Sequence, residues 1–218
     1  METSPGGVYT LAIFGGSGET GKALIRHALI KGANVRALVR DVKSMNIKSG
    51  MLETIEGSLL RPEHVEFCLK RSDAAICVFG PRPPYTDIFC EAATRNVVEA
   101  MQRLGLKRLV CQTGAMIGNY PFNRTLPFRL MVSRFNRRLP FVAADRAGQE
   151  AAVKGSGLAW TIVKPARLTE ARATGRWLVG PGVRAGLLSS ISREDLADFL
   201  VEEALNPQFP EQAVFIHR

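Results

Sequence analysis

The stretch that most constrains this chain is Gly15-Gly16-Ser17-Gly18-Glu19-Thr20-Gly21, because of what stands on either side of it. It directly follows the apolar run of residues 8–14. It directly precedes a stretch with helical spacing, in which Leu24 recurs with Ala28 and Ile25 with Leu29. A strand, a glycine-rich turn and a helix start, in that order, form the setting in which spaced glycines bind a dinucleotide. Gly15 permits a tight exit from the strand, Gly18 leaves room for a pyrophosphate beside the backbone, and Gly21 lets the helix pack close to the sheet. Ser17, Glu19 and Thr20 complete the loop. The anion then sits on the helix N-terminus, where unpaired N–H groups and the positive end of the helix dipole meet its charge.

The rest of the chain continues the alternation. Residues 34–40 and 51–56 read as the second and third strands, and Pro62 opens a helix that carries Val65 and Leu69. Residues 74–79 form a near-continuous apolar run ended by Gly80-Pro81, the pattern of a strand buried on both faces. A helix over 86–104 leads to a fifth strand at 108–112, which stops at Thr113-Gly114. Asp145 opens a helix to Lys154, residues 158–163 form a sixth strand with its exit at Lys164-Pro165, Ser192 caps a further helix, and 213–216 is a final short strand. This order predicts an α/β fold, a Rossmann-type doubly wound parallel sheet in a single domain over 8–218, preceded by a disordered tail at 1–7. Ligands of such sheets bind at the carboxyl ends of the strands, which selects residues 15–21, Arg40, 79–81 and 113–115.

No stretch reaches the roughly 20 continuous apolar residues of a membrane span, and the first apolar segment is short and stopped by glycine, unlike a signal peptide. A cytoplasmic protein is therefore expected. The four cysteines form no C-x-x-C pair, so neither a metal site nor a disulfide framework is expected. The formal charge of +9 favours phosphorylated or polyanionic partners. Nucleic acid is the weaker of these, because no binding motif accompanies the charge.

An NAD site places Asp or Glu at the end of the second strand, about 20 residues beyond the glycines, to accept from the ribose hydroxyls. Here that position is Arg40, which suits the 2′-phosphate of NADP, with Lys43 and Ser44 nearby in sequence. Such a charge-assisted bond is worth about one to two decades in affinity, so NADPH is expected to bind in preference to NADH. The lesser alternative for Arg40 is a solvated strand-end charge. Asp41 is the competing acidic group, and it is expected to cap the following turn.

The stretch from Ala12 to Gly21, the second-strand ending Leu38-Val39-Arg40-Asp41, and Ser156-Gly157-Leu158 through Lys164-Pro165 together resemble an atypical short-chain dehydrogenase/reductase. The likeness is to the group containing flavin reductase (biliverdin reductase B) and to the NmrA-like NAD(P)-binding regulators. Three positions depart from that pattern. The acidic residue after the third strand is Ser58, the Ser or Thr expected after Thr113 is Gly114, and Arg146 stands where many members carry Lys. None of Tyr9, Tyr85 and Tyr120 has Lys four residues later, and the three histidines read as surface or packing residues, so the usual Tyr–Lys proton donor is missing. The resemblance implies an NADPH-dependent reductase that passes hydride to a planar conjugated acceptor, such as a flavin, quinone or linear tetrapyrrole, with the proton from solvent. Phe79, Gly80, Ser58 and Pro165 would then border the cofactor. Thr113 and Arg146 would act at the substrate, Arg146 by orienting an anionic acceptor, since a guanidinium does not serve as a proton donor. A non-catalytic NAD(P)-binding sensor or scaffold of the NmrA-like type is the alternative.

An insertion at about 116–144 interrupts the alternation. Within it Arg124, Arg129, Arg134, Arg137 and Arg138 interleave with Phe122, Phe128, Leu130, Met131, Phe135 and Phe141. Its place after the fifth strand suggests a lid over the acceptor. An amphipathic helix with a solvated basic face, or a segment resting on an anionic membrane, would give the same composition.

Overall fold

The computed structural model describes residues 8–218, and the tail expected at 1–7 lies outside them. Its strands are β1 (Thr10–Phe14), β2 (Asn34–Val39), β3 (Leu52–Glu56), β4 (Ala74–Cys77), β5 (Arg108–Gln112), β6 (Ala159–Pro165), β7 (Arg167–Thr169), β8 (Leu178–Gly180), β9 (Ser190–Ser192) and β10 (Gln212–His217). The helices are α1 (Glu19–Ile30), α2 (Pro62–Leu69), α3 (Cys90–Leu104), α4 (Leu126–Arg138), α5 (Pro140–Lys154) and α6 (Arg193–Leu205). Eight strands form one sheet in the order β3-β2-β1-β4-β5-β6-β10-β8, parallel throughout except for β8, which runs against β10 at the edge. β7 and β9 pair separately. The chain winds outward from β1 to β3 and then crosses to β4 on the other side of β1. The strand order therefore reverses between β1 and β4, and a crevice opens there at the carboxyl edge. This is the doubly wound sheet expected from the alternation.

Helices cover both faces, as buried parallel strands require. On one face α1 and α6 pack together over Leu11, Ile13, Val35 and Val163. On the other, α2, α3 and α5 cover Phe14, Ala75, Cys77, Leu109 and Ile162. Burial of β4 on both sides explains why its sequence reads as a near-continuous apolar run. All four cysteines are buried and unpaired, and burial pushes the Cys68 and Cys90 thiols up to about 12, so neither of these two is a thiolate at neutral pH. At the amino edge the buried Arg108 guanidinium donates to Glu203 Oε1 at 2.8 Å and to Thr161 Oγ1 at 2.9 Å, pinning β5 to α6 and β6.

Three boundaries differ from the sequence reading. α3 starts at Cys90 and not at residue 86, and its first N–H groups are satisfied from another helix: the Asp145 carboxylate accepts from Cys90 N and Glu91 N, both at 2.9 Å. Asp145 therefore does not open its own helix. It is buried inside α5, which begins at Pro140, where proline fits the first helical turn. β6 runs on through Lys164 and Pro165, because the Lys164 charge is neutralised within the core and does not mark a solvent-exposed exit. The insertion at 116–144 is a 3-10 turn (Pro121–Asn123), α4 and the start of α5. Ser192 caps α6 as read, its hydroxyl accepting from Asp195 N at 3.0 Å.

Candidate functional site

A cleft of about 1000 Å³ occupies the crevice at the carboxyl edge. Residues predicted for the cofactor line much of it: Gly15, Ser17, Gly18, Glu19, Thr20 and Gly21 from the loop, together with Arg40, Ser58, Phe79 and Gly80. The three loop glycines have separable reasons. Gly15 adopts φ +97°, and a Cβ there would lie 2.8 Å from Phe79 N, so the turn itself demands glycine. A Cβ on Gly21 would lie 2.1 Å from Gly15 O, which is the close helix–sheet approach. At Gly18 the backbone is extended, with φ −78°, and the nearest atoms to an added Cβ are Gly15 O at 3.4 Å and Arg82 Nη2 at 3.5 Å. The fold itself therefore leaves room for a Cβ at position 18. Gly18 is also the N-cap of α1 and no side chain caps that helix, which leaves first-turn N–H groups turned to the cleft. The loop fits a pyrophosphate on these grounds.

Arg40 is exposed at the end of β2 and borders the cleft. Asp41 does not compete with it for a ribose, since its Oδ1 accepts from Lys43 N at 2.8 Å and starts the 3-10 turn Val42–Ser44. Ser58 is held by its backbone N–H, which donates to His64 Nδ1 at 3.1 Å, so His64 braces the loop after β3. Besides Lys22 in α1, two basic residues that the sequence reading did not select also line the cleft. Arg82 stands beside Gly18, and Arg193 donates to Thr20 Oγ1 at 3.3 Å and to Glu170 Oε1 at 2.7 Å. The sequence placed the first within Pro81-Arg82-Pro83-Pro84 directly beyond β4, a positional signal; the second comes from the far end of the chain and gave none.

The residues expected at the substrate end are buried beside the cleft. Thr113 donates its hydroxyl to Glu150 Oε1 at 2.7 Å, and Tyr120 donates to Glu150 Oε2 at 2.9 Å. Lys164 Nζ donates to the same Oε1 and lies 4.4 Å from the centre of the Tyr120 ring. The ion pair is enclosed, with side-chain exposures of 0% for Lys164 and 3% for Glu150. Burial lowers Lys164 to about 8, although Glu150 works against it. Burial alone would push Glu150 up. The Lys164 charge, with hydrogen bonds from Lys164, Thr113 and Tyr120, outweighs this and holds the carboxyl below its ordinary value. Burial, reinforced by Glu150, raises the Tyr120 phenol. Both groups of the ion pair are charged at neutral pH, and the Thr113 hydroxyl is committed to them.

Arg146 is likewise turned inward. Its Nη1 donates to Phe79 O at 3.0 Å and to Gln149 Oε1 at 2.6 Å, and its Nη2 donates to Thr113 O. The guanidinium ties the loops after β4 and β5 together beneath Gly80, where a Cβ would lie 3.4 Å from Nη1. This makes Arg146 a positioning residue and not a group that reaches for the acceptor. Pro165 is buried in β6 and accepts from Ala115 N at 2.9 Å, so Leu168 borders the cleft in its stead. Gly114 adopts φ +153°, a backbone conformation that L side chains rarely take, with open space around it. Gln112 was read only as the end of a strand. It lines the cleft, and its buried Oε1 has no hydrogen-bond partner, so an acceptor is left for a ligand at the end of β5. The wall opposite is aromatic: Phe79 and Phe89 lie with ring centroids 6.0 Å apart. Among the described residues that line the cleft, none is Tyr, His or Cys.

The segment read as a lid contributes none of the cleft-lining residues. Arg124 is buried, donating to Ala115 O at 2.8 Å, Ile117 O at 2.6 Å and Gly118 O at 2.9 Å, while Arg129, Arg134, Arg137 and Arg138 are exposed on α4.

A profile described as NAD(P)H-binding matches residues 15–207. An uncharacterized chloroplastic protein of Arabidopsis thaliana is 29% identical over 209 residues, covering 90% of this chain and 72% of that protein. The photosystem II assembly factor Ycf39 of Trieres chinensis is 34% identical over 105 residues, which is 46% of this chain and only 33% of that protein. Among solved structures, a wide-type short-chain dehydrogenase/reductase from Veillonella parvula in complex with NADP superposes with a TM-score of 0.79 at 15% identity, covering 96% of this chain and 94% of that one. At that identity the likeness is one of fold.

Proposed function

This chain belongs to the NAD(P)H-binding family, and from that premise we propose that it is an NADPH-dependent reductase passing hydride to a planar conjugated acceptor, of the flavin, quinone or linear tetrapyrrole kind. The observation that carries the reading is the lining of the cleft. One part is lined by the glycine loop and by cations, and the rest includes the aromatic pair Phe79 and Phe89 and the unpartnered Oε1 of Gln112, with no Tyr, His or Cys among the described lining residues. A bound NADPH would supply the hydride. The chain supplies position: Gly18 and the α1 N-terminus for the pyrophosphate, Arg40 for the 2′-phosphate, Ser58 beside the adenine end, and Arg82 and Arg193 for charge. Arg146 and the Lys164–Glu150 pair fix the loops from which Phe79 and Thr113 emerge. A carbonyl substrate needs a proton as it accepts hydride, whereas a delocalised acceptor takes the charge into its own rings and can draw the proton from water. Arg40, Arg82, Arg193 and Lys22 outnumber Glu19 and Asp87 around the cleft, which favours an anionic acceptor.

The test follows NADPH oxidation by its absorbance while FMN, a quinone and biliverdin are offered in turn. Turnover of at least one, with NADH clearly poorer, is the expected result. A second reading has its own support: the partial match to an assembly factor, and the inward commitment of Thr113 and Tyr120, suit a protein that binds NAD(P)H as a sensor or scaffold. Tight NADPH binding with no oxidation by any acceptor would select it. The chloroplast location of the Arabidopsis relative makes a plastid extract, beside a cytoplasmic one, the place to seek the acceptor.

A further inference from the structure

α4 packs on the body through Phe128 and Val132, so the residues half a turn away face outward. Leu126 and Leu130, each 66% exposed, form the first part of that outward crest, and Arg134 and Arg137 continue it. Further apolar groups lie beside them. Phe122 is 88% exposed in the 3-10 turn ahead of the helix, and Leu188 is 92% exposed on the loop after β8. That loop is fastened to the start of α4: Thr125 N donates to Ala185 O at 3.0 Å, and Ala185 N donates to Asn123 O at 2.8 Å. Two segments distant in sequence thus present one apolar face. Charge complements it. Neither residues 113–144 nor residues 171–193 contain a single Asp or Glu, while α4 alone exposes Arg129, Arg134, Arg137 and Arg138. A shallow cavity of about 610 Å³ next to the crest offers Arg129, Ser133, Asn136 and Arg137 as donors.

We propose that this face docks on an anionic lipid bilayer, with Phe122, Leu126, Leu130 and Leu188 entering the acyl boundary and the arginines meeting lipid phosphates. The combination fits an interfacial helix, which pairs an apolar crest with cations and needs no membrane span. A polyanion such as nucleic acid would meet the arginines but leave four large apolar side chains in water. A second copy would bring two faces rich in arginine, without one carboxylate, against each other. The segment that carries α4 leaves the carboxyl end of β5, at the edge on which the cleft opens.

The test is co-sedimentation of the full chain with phosphatidylcholine vesicles, with and without phosphatidylglycerol, at low and high salt. Binding is expected only with phosphatidylglycerol. Arg134→Ser with Arg137→Ser should weaken it by about fivefold per charge, the equivalent of about 1 kcal/mol each. Leu126→Ser with Leu130→Ser should weaken it by at least about tenfold with the charge intact. These residues are exposed and outside the cleft, so circular dichroism and NADPH affinity should match the parent. No binding to phosphatidylglycerol vesicles would overturn the proposal. So would binding that the leucine pair leaves unchanged, tighter binding to duplex DNA that survives the leucine pair, or a dimer in lipid-free solution that the leucine pair dissociates.

Discussion

Replacing Lys164 by methionine keeps the length of the side chain and removes its charge, which makes it a direct probe of the buried cluster behind the cleft. The Glu150 carboxylate would be left with the hydroxyls of Thr113 and Tyr120, at 2.7 and 2.9 Å, in a site where its own side chain is 3% exposed. Breaking a buried pair by removing one partner costs about 3–5 kcal/mol, because an uncompensated charge stays in low dielectric. For a domain of this size each kcal/mol lowers the melting temperature by roughly 2–4 °C, so a fall of roughly 6–20 °C is expected in thermal unfolding. The pH dependence should also change sign. In the parent, the Glu150 carboxyl sits below its unfolded value, so its contribution is present above about pH 4.5 and is lost as the pH falls through the folded value. Without Lys164, burial raises the carboxyl instead, and stability is then present at low pH and lost as the pH rises through that raised value. Denaturant titrations from about pH 5 to 7 should therefore be nearly flat for the parent and fall with pH for the variant. Adding Glu150→Leu should recover most of the loss. A cost under about 1 kcal/mol, or parallel pH profiles, would refute the assignment of an ionised, enclosed pair.

Four further outcomes are expected. Gly18→Val should abolish NADPH binding in a titration while the circular dichroism spectrum and melting temperature hold; Gly21→Ala should lose both, because its Cβ would sit 2.1 Å from Gly15 O. Arg40→Ala should remove most of any preference for NADPH over NADH, about tenfold or more, measured by calorimetry with both cofactors. Gln112→Leu should leave stability unchanged or slightly raised, since it removes an unpartnered buried oxygen, yet it should lower turnover in the oxidation assay. Asp145→Ala should lower stability by about 1–2 kcal/mol in denaturant unfolding, as Cys90 N and Glu91 N lose their acceptors at the start of α3.

The outline of the site was legible because its parts are local. The glycine spacing, the apolar run before it and Arg40 at the next strand end all lie within the first 40 residues, and sheet topology carries that contiguous stretch to the carboxyl edge. Thr113 and Arg146, expected at the substrate, have side chains turned inward to Glu150 and to the backbone of Phe79 and Thr113. Sequence fixes which strand end or helix bears a side chain but not whether a carboxylate such as Glu150, 37 residues further on, captures a hydroxyl from behind. Arg82, Arg193 and Gln112 were missed because nothing in their local pattern separates a cleft residue from a solvated charge or a strand-end amide.

By itself the sequence determined the α/β alternation, the glycine turn between β1 and α1 and the buried, apolar cysteines, since hydrophobic period, glycine conformation and strand composition act over a few residues. Only the tertiary structure decided where charges go. Lys164 lies in mid-strand because Glu150 from α5 neutralises it, and Asp145 lies in mid-helix because the N-terminus of α3 needs its oxygens. The arginines of the insertion divide between one buried clamp on backbone carbonyls, Arg124, and four on an open helix face. A charged side chain has no fixed preference for inside or outside. Its position follows from whether a partner distant in the chain offsets the cost of leaving water, and the partner's identity exists only once the chain is folded.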